Sequence, residues 1–284
     1  MKLHELLTAC TRRFEEAGFD SPAVEAAYLL EYAVGIRHTH FALHRGLELS
    51  EAQLERARDY LKRRLADEPF QYICGWTDFR EIRLNVAPGC LIPRPETEML
   101  VELALSDLPR GACVCEPGTG SGAIALSIAW ERPDTLVYAT ELSPDAFRIA
   151  SANREALRLE NVHLLQGDLF APLPRDVKFE LLAANLPYIP ESARADLPRN
   201  VRDYEPEMAL FAPREGRGLI ERALREAPPR LADGAVLLFE TGSEQGPALS
   251  DYAASLGCYA DVQVLRDQYG ENRFLRCKFR GDRL

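Results

Sequence analysis

The sequence has no apolar run near the roughly 18 residues that a membrane-spanning helix needs, so no membrane association is expected. Its opening stretch, MKLHELLTACTRRFEEAGF, mixes acids and arginines among the leucines and lacks the apolar segment of a secretory leader. Cysteine is scattered and odd in number, seven in 284 residues. That argues against a disulfide framework and fits a reducing, cytoplasmic setting. Basic charge is in deficit: 34 Lys and Arg face 44 Asp and Glu, for a net charge of −10. Such a surface repels phosphate backbones on average, so direct nucleic-acid binding is not expected. No internal repeat or low-complexity tract is evident. What remains, 46% hydrophobic and 27% charged residues, suffices for a real folded core.

The first 74 residues read as a helical bundle. Leu3, Leu6, Leu7, Cys10 and Phe14 recur at helical steps and form one apolar stripe. Ser21-Pro22 reads as a helix start, with the hydroxyl as cap and proline at the first helical position. Ser50 and Gln53 read as a capping box. The helix they open carries Leu54, Ala57, Leu61 and Leu65 on one face, with Arg56, Arg58, Lys62, Arg63 and Arg64 largely elsewhere. That basic cluster is read first as a solvated face and second as a docking surface. Residues 1–75 hold 10 basic and 12 acidic side chains, so the acidity lies mostly in the rest. Across 75–93 the period changes to alternation, with Phe79, Ile82, Leu84 and Val86 on one side, which predicts a β-hairpin linker.

Residues 94–284 alternate between strand-like and helix-like runs. Strands are expected at 112–116, 136–141, 162–166, 179–184, 235–240, 261–266 and 273–279, and helices at 96–107, 122–131, 144–157, 216–227 and 244–256. The pattern implies an α/β fold with a mostly parallel sheet. In such sheets ligands bind beyond the carboxyl ends of the strands, and the chemically suggestive residues fall there. Glu116-Pro117-Gly118-Thr119-Gly120-Ser121-Gly122 follows the first strand as a G-x-G-x-G turn, in which glycine lets backbone approach a ligand closely. It has neither the G-x-G-x-x-G dinucleotide spacing nor the Lys of a P-loop. Glu141 ends the second strand, 23 residues after Gly118, where a carboxylate can accept from ribose hydroxyls. Asp168, with Leu169 and Phe170, follows the third strand and could accept from an amino group while an apolar neighbour packs on a ring. Asn185-Leu186-Pro187-Tyr188 follows the fourth. A planar NH2 needs two acceptors, and the Asn185 side-chain oxygen and the Leu186 carbonyl can supply them, with Tyr188 packing on the flat face.

The order and spacing of these elements resemble the class I S-adenosyl-L-methionine-dependent methyltransferases, whose fold is a Rossmann-like seven-stranded sheet. EPFQYICGWTDF, LIPRPETEMLVELAL, N-x-P-Y and RDQYGENRFL narrow the resemblance to the protein-glutamine N5-methyltransferases that act on peptide chain release factors (the HemK/PrmC-type family). It covers nearly the whole chain. The resemblance implies that Gly118, Thr119, Gly120, Ser121 and Gly122 wrap the methionine part of the cofactor and that Glu141 binds its ribose. It places Leu169 beside the adenine with Asp168 next to it, and gives Asn185, Leu186, Pro187 and Tyr188 the substrate glutamine and the catalytic role, Asn185 also adjoining the cofactor. It further implies methylation of the glutamine in a Gly-Gly-Gln loop, in the service of translation termination, with the helical bundle docking the release factor. A monomer is expected, and no metal.

One departure stands out. The family's N-P-P-Y has proline where this chain has Leu186. The role concerns a backbone carbonyl, and Pro187 still biases Leu186 toward extended backbone, so the expected loss is preorganisation of about 0.4–1 kcal/mol. Glu116, where Asp is common, is a milder departure. Three other readings share these motifs: a glutamine methyltransferase of a ribosomal protein, an adenine-N6 nucleic-acid methyltransferase, and a binding module with a decayed site. The acidic balance disfavours the nucleic-acid reading. His38, His40 and His44 cluster without a plausible zinc set, and Cys113 and Cys115 read as core residues on one strand face. Arg94 and Glu96 read either as the active-site mouth or as a helix start. Residues 191–217 read as a long loop of the kind that closes over a peptide.

Overall fold

A computed structural model describes residues 1–281; residues 282–284 of the expected 94–284 domain lie outside the described residues. The chain forms two compact units: Met1–Gly75 together with Arg199–Tyr204, and Trp76–Pro198 together with Glu205 onward.

In the first unit, helices α1 (Leu3–Glu16), α2 (Pro22–Val34), α3 (Glu51–Leu65) and α4 (Phe70–Cys74) close over Phe14 and Leu54, on the stripes their spacing predicts, and over Leu29 and Leu30 of α2. The Ser50–Gln53 capping box forms, each side chain bonding the other's backbone N–H. Ser21 does not cap: its hydroxyl makes no cap hydrogen bond, and Pro22 alone opens α2. The basic face of α3 divides. Arg56, Arg58 and Lys62 are exposed, as a solvated face requires, although Arg56 also donates to the Ala33 carbonyl. The half-buried pair turns inward: Arg64 grips Glu25 at 2.8 and 2.9 Å and Arg63 grips Glu68. The excursion at 199–204 is bound here by the Arg199–Asp67 ion pair and by Tyr204, whose hydroxyl donates to the Ala66 carbonyl.

In the second unit, β1 (Trp76–Phe79) and β2 (Ile82–Asn85) pair as an antiparallel hairpin. Seven further strands follow: β3 (Cys113–Pro117), β4 (Leu136–Glu141), β5 (Val162–Gln166), β6 (Phe179–Ala184), β7 (Leu231–Glu240), β8 (Tyr259–Arg266) and β9 (Asn272–Phe279). They form one sheet in the order β5-β4-β3-β6-β7-β9-β8. It is parallel from β5 through β7, with β9 antiparallel to both its neighbours. Helices α5 (Pro95–Asp107), α6 (Ala123–Glu131), α7 (Pro144–Leu157), α8 (Gly218–Glu226) and α9 (Gly246–Ser255) lie between strands. This is the expected mostly parallel seven-stranded architecture. β7 begins four residues earlier than its apolar run suggests. Leu231 pairs with Phe179 across a register shift, and the exposed Asp233 and Gly234 that follow break the hydrophobic pattern.

Side chains alternate between two cores, as the two-residue period of strands requires. Val114, Leu181, Leu238 and Phe274 pack with α5, α6 and the hairpin residues Phe79, Ile82 and Leu84. Cys115, Leu182, Phe239 and Leu275 pack with α8 and α9, and Cys113 joins them on the same face. The hairpin is thus part of this core. Arg80 at its turn, held in the left-handed region at φ 49°, clamps Glu131 through both oxygens and donates to the Glu98 carbonyl. Phe79→Ala should therefore lower stability by about 3–5 kcal/mol, as deletion of a large core ring does. Urea unfolding checks this; a loss below about 1 kcal/mol would show the hairpin to be peripheral.

Candidate active site

The chain builds β3, β4 and β5 outward in one direction and then returns to place β6 on the other side of β3. At that reversal the loops after β3 and β6 diverge and leave a crevice. The glycine turn occupies one lip and Asn185–Tyr188 the other. Gly118, Gly120 and Gly122 all adopt positive φ, 74°, 58° and 90°, which side chains resist. The turn is locked to the neighbouring strand: Gly118 and Thr119 donate to the Thr140 carbonyl, and Gly120 donates to a Glu141 carboxylate oxygen at 2.8 Å. Asn153, buried on α7, donates to the Ser121 carbonyl and exchanges hydrogen bonds with Asn85 of the hairpin. Nothing in the sequence singled out Asn153. A Cβ on Gly120 would meet open space, whereas on Gly118 it would strike the Leu186 side chain at 2.8 Å. The leucine that replaces the family's proline is therefore buried against the glycine turn.

Two buried acids share this lip. Glu141 accepts from Gly120 and Ser143, one backbone N–H on each oxygen, so its carboxylate is fixed before any ligand arrives. Glu116 accepts from the Thr119 hydroxyl and the Ala125 N–H on a single oxygen. Burial, reinforced by the nearby Glu141 charge, pushes its carboxyl up to about 8 against these two hydrogen bonds. Asp168 lines the same cavity, but both its oxygens hold Arg222, at 3.0 and 2.7 Å. That partner was not foreseen, and it leaves only the outer lone pairs of Asp168 for a ligand. Leu169 sits at φ 43°, a conformation costing a leucine roughly 1–2 kcal/mol. The Thr140 hydroxyl bonds its carbonyl at 2.7 Å and holds it there.

On the other lip, the Asn185 side-chain NH2 donates to the Thr97 hydroxyl at 3.0 Å. Thr97 in turn donates to Glu240 at 2.7 Å, and the Tyr188 hydroxyl donates to the other Glu240 oxygen at 3.1 Å. Burial raises the Glu240 carboxyl above the usual range, opposed by these two hydroxyls and by Arg273. Burial also raises the Tyr188 phenol, beside the Glu240 charge, so it stays a donor. Thr97 lies in the P-R-P-E-T-E stretch and Glu240 ends β7, but a strand-end acid gives no sign of what it will face.

The turn itself is buttressed from behind. Gln245 donates to the carbonyls of Tyr188 and Glu215. Arg214, Glu215 and Gly216 all take positive φ, and a Cβ on Gly216 would lie 2.0 Å from the Tyr188 carbonyl oxygen. Within 191–217, Glu205 is buried, bonds Arg94 at 2.6 Å and accepts from the Ile92 N–H, which fixes Arg94 at the cavity wall. The segment is not a bare loop, since it contains short helical turns at Glu191–Asp196, Arg199–Arg202 and Glu207–Leu210. The cavity is about 280 Å³ and brings together every predicted site residue except Tyr188 and Gly122, which stand just behind its wall, together with Thr97, Arg94 and Met208. His38 bonds Glu31 in the first unit, and among the described residues no group of three potential ligands is placed to hold a metal.

Residues 5–75 match the family described as PrmC N-terminal domain. The chain is 39% identical to the release factor glutamine methyltransferase of Moorella thermoacetica, over 96% of this chain and 97% of that one. It is 37% identical to that of Deinococcus radiodurans, over 99% and 100%. The crystal structure of a methyltransferase from Pyrococcus furiosus superposes with a TM-score of 0.53 at 18% identity, covering 80% of this chain and 98% of that one, a likeness of fold. With that identity sustained over nearly its whole length, the chain belongs to the release factor glutamine methyltransferase family.

Proposed function

We propose that this protein transfers a methyl group from S-adenosyl-L-methionine to the side-chain nitrogen, N5, of the glutamine in the Gly-Gly-Gln loop of peptide chain release factors. One observation carries the reading at the atomic level. The NH2 of Asn185 is spent on Thr97, which leaves its carbonyl oxygen for a donor, and the acceptor of this reaction is an NH2 group. The donor site fits as well: open backbone at Gly120, the Glu141 carboxylate with the buried acid Glu116 beside it, and the apolar Leu169 suit a ligand with positive charge, hydroxyls and a flat ring.

In this reading Gly118 to Gly122 hold the methionine part of the cofactor, Glu141 accepts from the ribose hydroxyls, and Leu169 packs by the adenine with Asp168 at its edge. S-adenosyl-L-methionine supplies a methyl on a sulfonium, with a neutral thioether as leaving group. An amide nitrogen is a poor nucleophile because its lone pair is delocalised. Asn185 and the Leu186 carbonyl each accept one of its hydrogens, which orients the nitrogen and stabilises positive charge as it develops; the methylated nitrogen then releases one of its two hydrogens as a proton to water. Pro187 and Tyr188 hold those acceptors in register, Tyr188 through Glu240 and Gln245. The helical unit, residues 1–74, docks the release factor.

The test is transfer of labelled methyl to a release factor, a ribosomal protein or DNA offered side by side. Label should appear on the release factor and vanish when its loop glutamine is changed to alanine; label confined to nucleic acid would overturn the reading. Asn185→Ala should cut turnover by about 100-fold or more while cofactor affinity changes little, as single-turnover assays and calorimetry would report. A second expectation concerns pH. Glu116 is neutral below about 8, and a cationic ligand favours its charged form. Cofactor affinity should therefore climb, by at most about tenfold per pH unit, as pH rises toward about 8 and then level off. Glu116→Gln should flatten that slope; a wild-type affinity independent of pH would remove Glu116 from the cofactor's charge balance.

A further inference from the structure

The chain of hydrogen bonds behind Asn185 has a direction. We infer that Glu240, acting through the Thr97 hydroxyl, fixes which end of the Asn185 amide faces the cavity and so makes the site select glutamine over glutamate. The inference deepens, and rests on, the reading of Asn185 as the acceptor for the substrate amide.

The reasoning is a count of hydrogens. A carboxyl oxygen that takes a hydroxyl hydrogen acts only as an acceptor in that bond. Glu240 is almost fully buried, and its two oxygens take hydrogens from Thr97 and Tyr188. A threonine hydroxyl has a single hydrogen, so once that goes to Glu240 only lone pairs face Asn185. The amide must then turn its NH2 toward Thr97, as it does at 3.0 Å, and its oxygen to the cavity. Among the described residues no other group donates to that oxygen. The opposite amide orientation would set two acceptors face to face or strip Glu240 of a donor in a buried site, and such an unpaired group costs about 1–3 kcal/mol.

The direction decides what the site recognises. With Asn185 oxygen and the Leu186 carbonyl outward, a glutamine presents two N–H hydrogens to two acceptors, whereas an ionised glutamate presents oxygens to oxygens. A proton on Glu240, or an amide in its place, permits the reverse order. The group at 240 then donates to Thr97, Thr97 donates to Asn185, and the Asn185 NH2 faces out, welcoming a carboxylate. The other charged groups facing Glu240 are Arg273 on β9, itself paired with Asp267, and Glu96 on α5. Arg273 favours the ionised form and Glu96 opposes it. Glu240 is thus a positioning residue, two hydrogen bonds removed from Asn185 and three from the reacting nitrogen.

The experiment compares the full-length wild type with Glu240→Gln, Thr97→Val and Thr97→Ser. For each, kcat and KM are measured on a release factor, with inhibition by the same factor carrying glutamate at the loop position. Glu240→Gln and Thr97→Val should lose about 100-fold in kcat. In both, the glutamate factor should gain as an inhibitor relative to the glutamine factor by about tenfold or more, with the cofactor dissociation constant unchanged. Thr97→Ser, which keeps the hydroxyl, should rescue both readouts. A fall in kcat with unmoved glutamine-to-glutamate discrimination in Glu240→Gln would overturn the inference, as would Thr97→Val matching Thr97→Ser. Should Glu240→Gln fail to fold, the Thr97 pair decides. A wild type that methylates no glutamine refutes the parent reading instead, so the two failures are distinguishable.

Discussion

The hydrogen bond from Asn185 to Thr97 is the contact on which the site turns. It turns the NH2 of the Asn185 side chain toward Thr97, using one of its two hydrogens, and leaves the side-chain oxygen as the acceptor that faces the cavity. It exists because three elements converge: the first turn of α5 brings Thr97, the end of β6 brings Asn185, and the end of β7 brings Glu240. β6 and β7 are adjacent parallel strands with Ala184 opposite Phe239, so their carboxyl ends deliver Asn185 and Glu240 side by side. The sheet topology thus supplies the chemistry directly.

The two lips of the crevice are coupled through packing as well as polarity. Leu186 lies buried against Gly118, so the residue whose carbonyl faces the acceptor amide also props the turn assigned to the methyl donor. A proline ring at this position would restrict the backbone directly; the leucine here instead packs its side chain on a glycine. The strained positions serve the same end. Leu169 and Glu215 adopt left-handed backbone, each pinned by a hydrogen bond to a residue that shapes the site, Thr140 and Gln245. Strain of this kind persists only where surrounding structure over-determines it.

Much of this was legible in the sequence. Alternating apolar runs announced the strands, and the residues after them, Gly118 to Gly122, Glu141, Asp168 and Asn185 to Tyr188, do converge around one crevice. Local signals carried that information: glycine where φ must be positive, an acid at a strand tip, proline fixing a turn. The partners were not legible. Thr97 lies 88 residues from Asn185, Glu240 lies 52 from Tyr188, and Arg222 lies 54 from Asp168. No local pattern encodes contacts of that range. Capping shows the same divide. Ser50 caps because Gln53 answers it within one turn, while Ser21, with no such partner, leaves the helix start to Pro22. The basic face of α3 is solvated at Arg56, Arg58 and Lys62, as its pattern suggests; only Arg63 and Arg64 are claimed by acids outside the helix, which its own periodicity does not encode.

The most direct trial of the account is a crystal structure with the demethylated cofactor product and a glutamine-bearing loop peptide. The account predicts the glutamine NH2 within hydrogen-bond distance of both the Asn185 side-chain oxygen and the Leu186 carbonyl, its nitrogen turned toward the sulfur. A glutamine side chain seated elsewhere, or one whose carbonyl oxygen meets an Asn185 NH2, would contradict it.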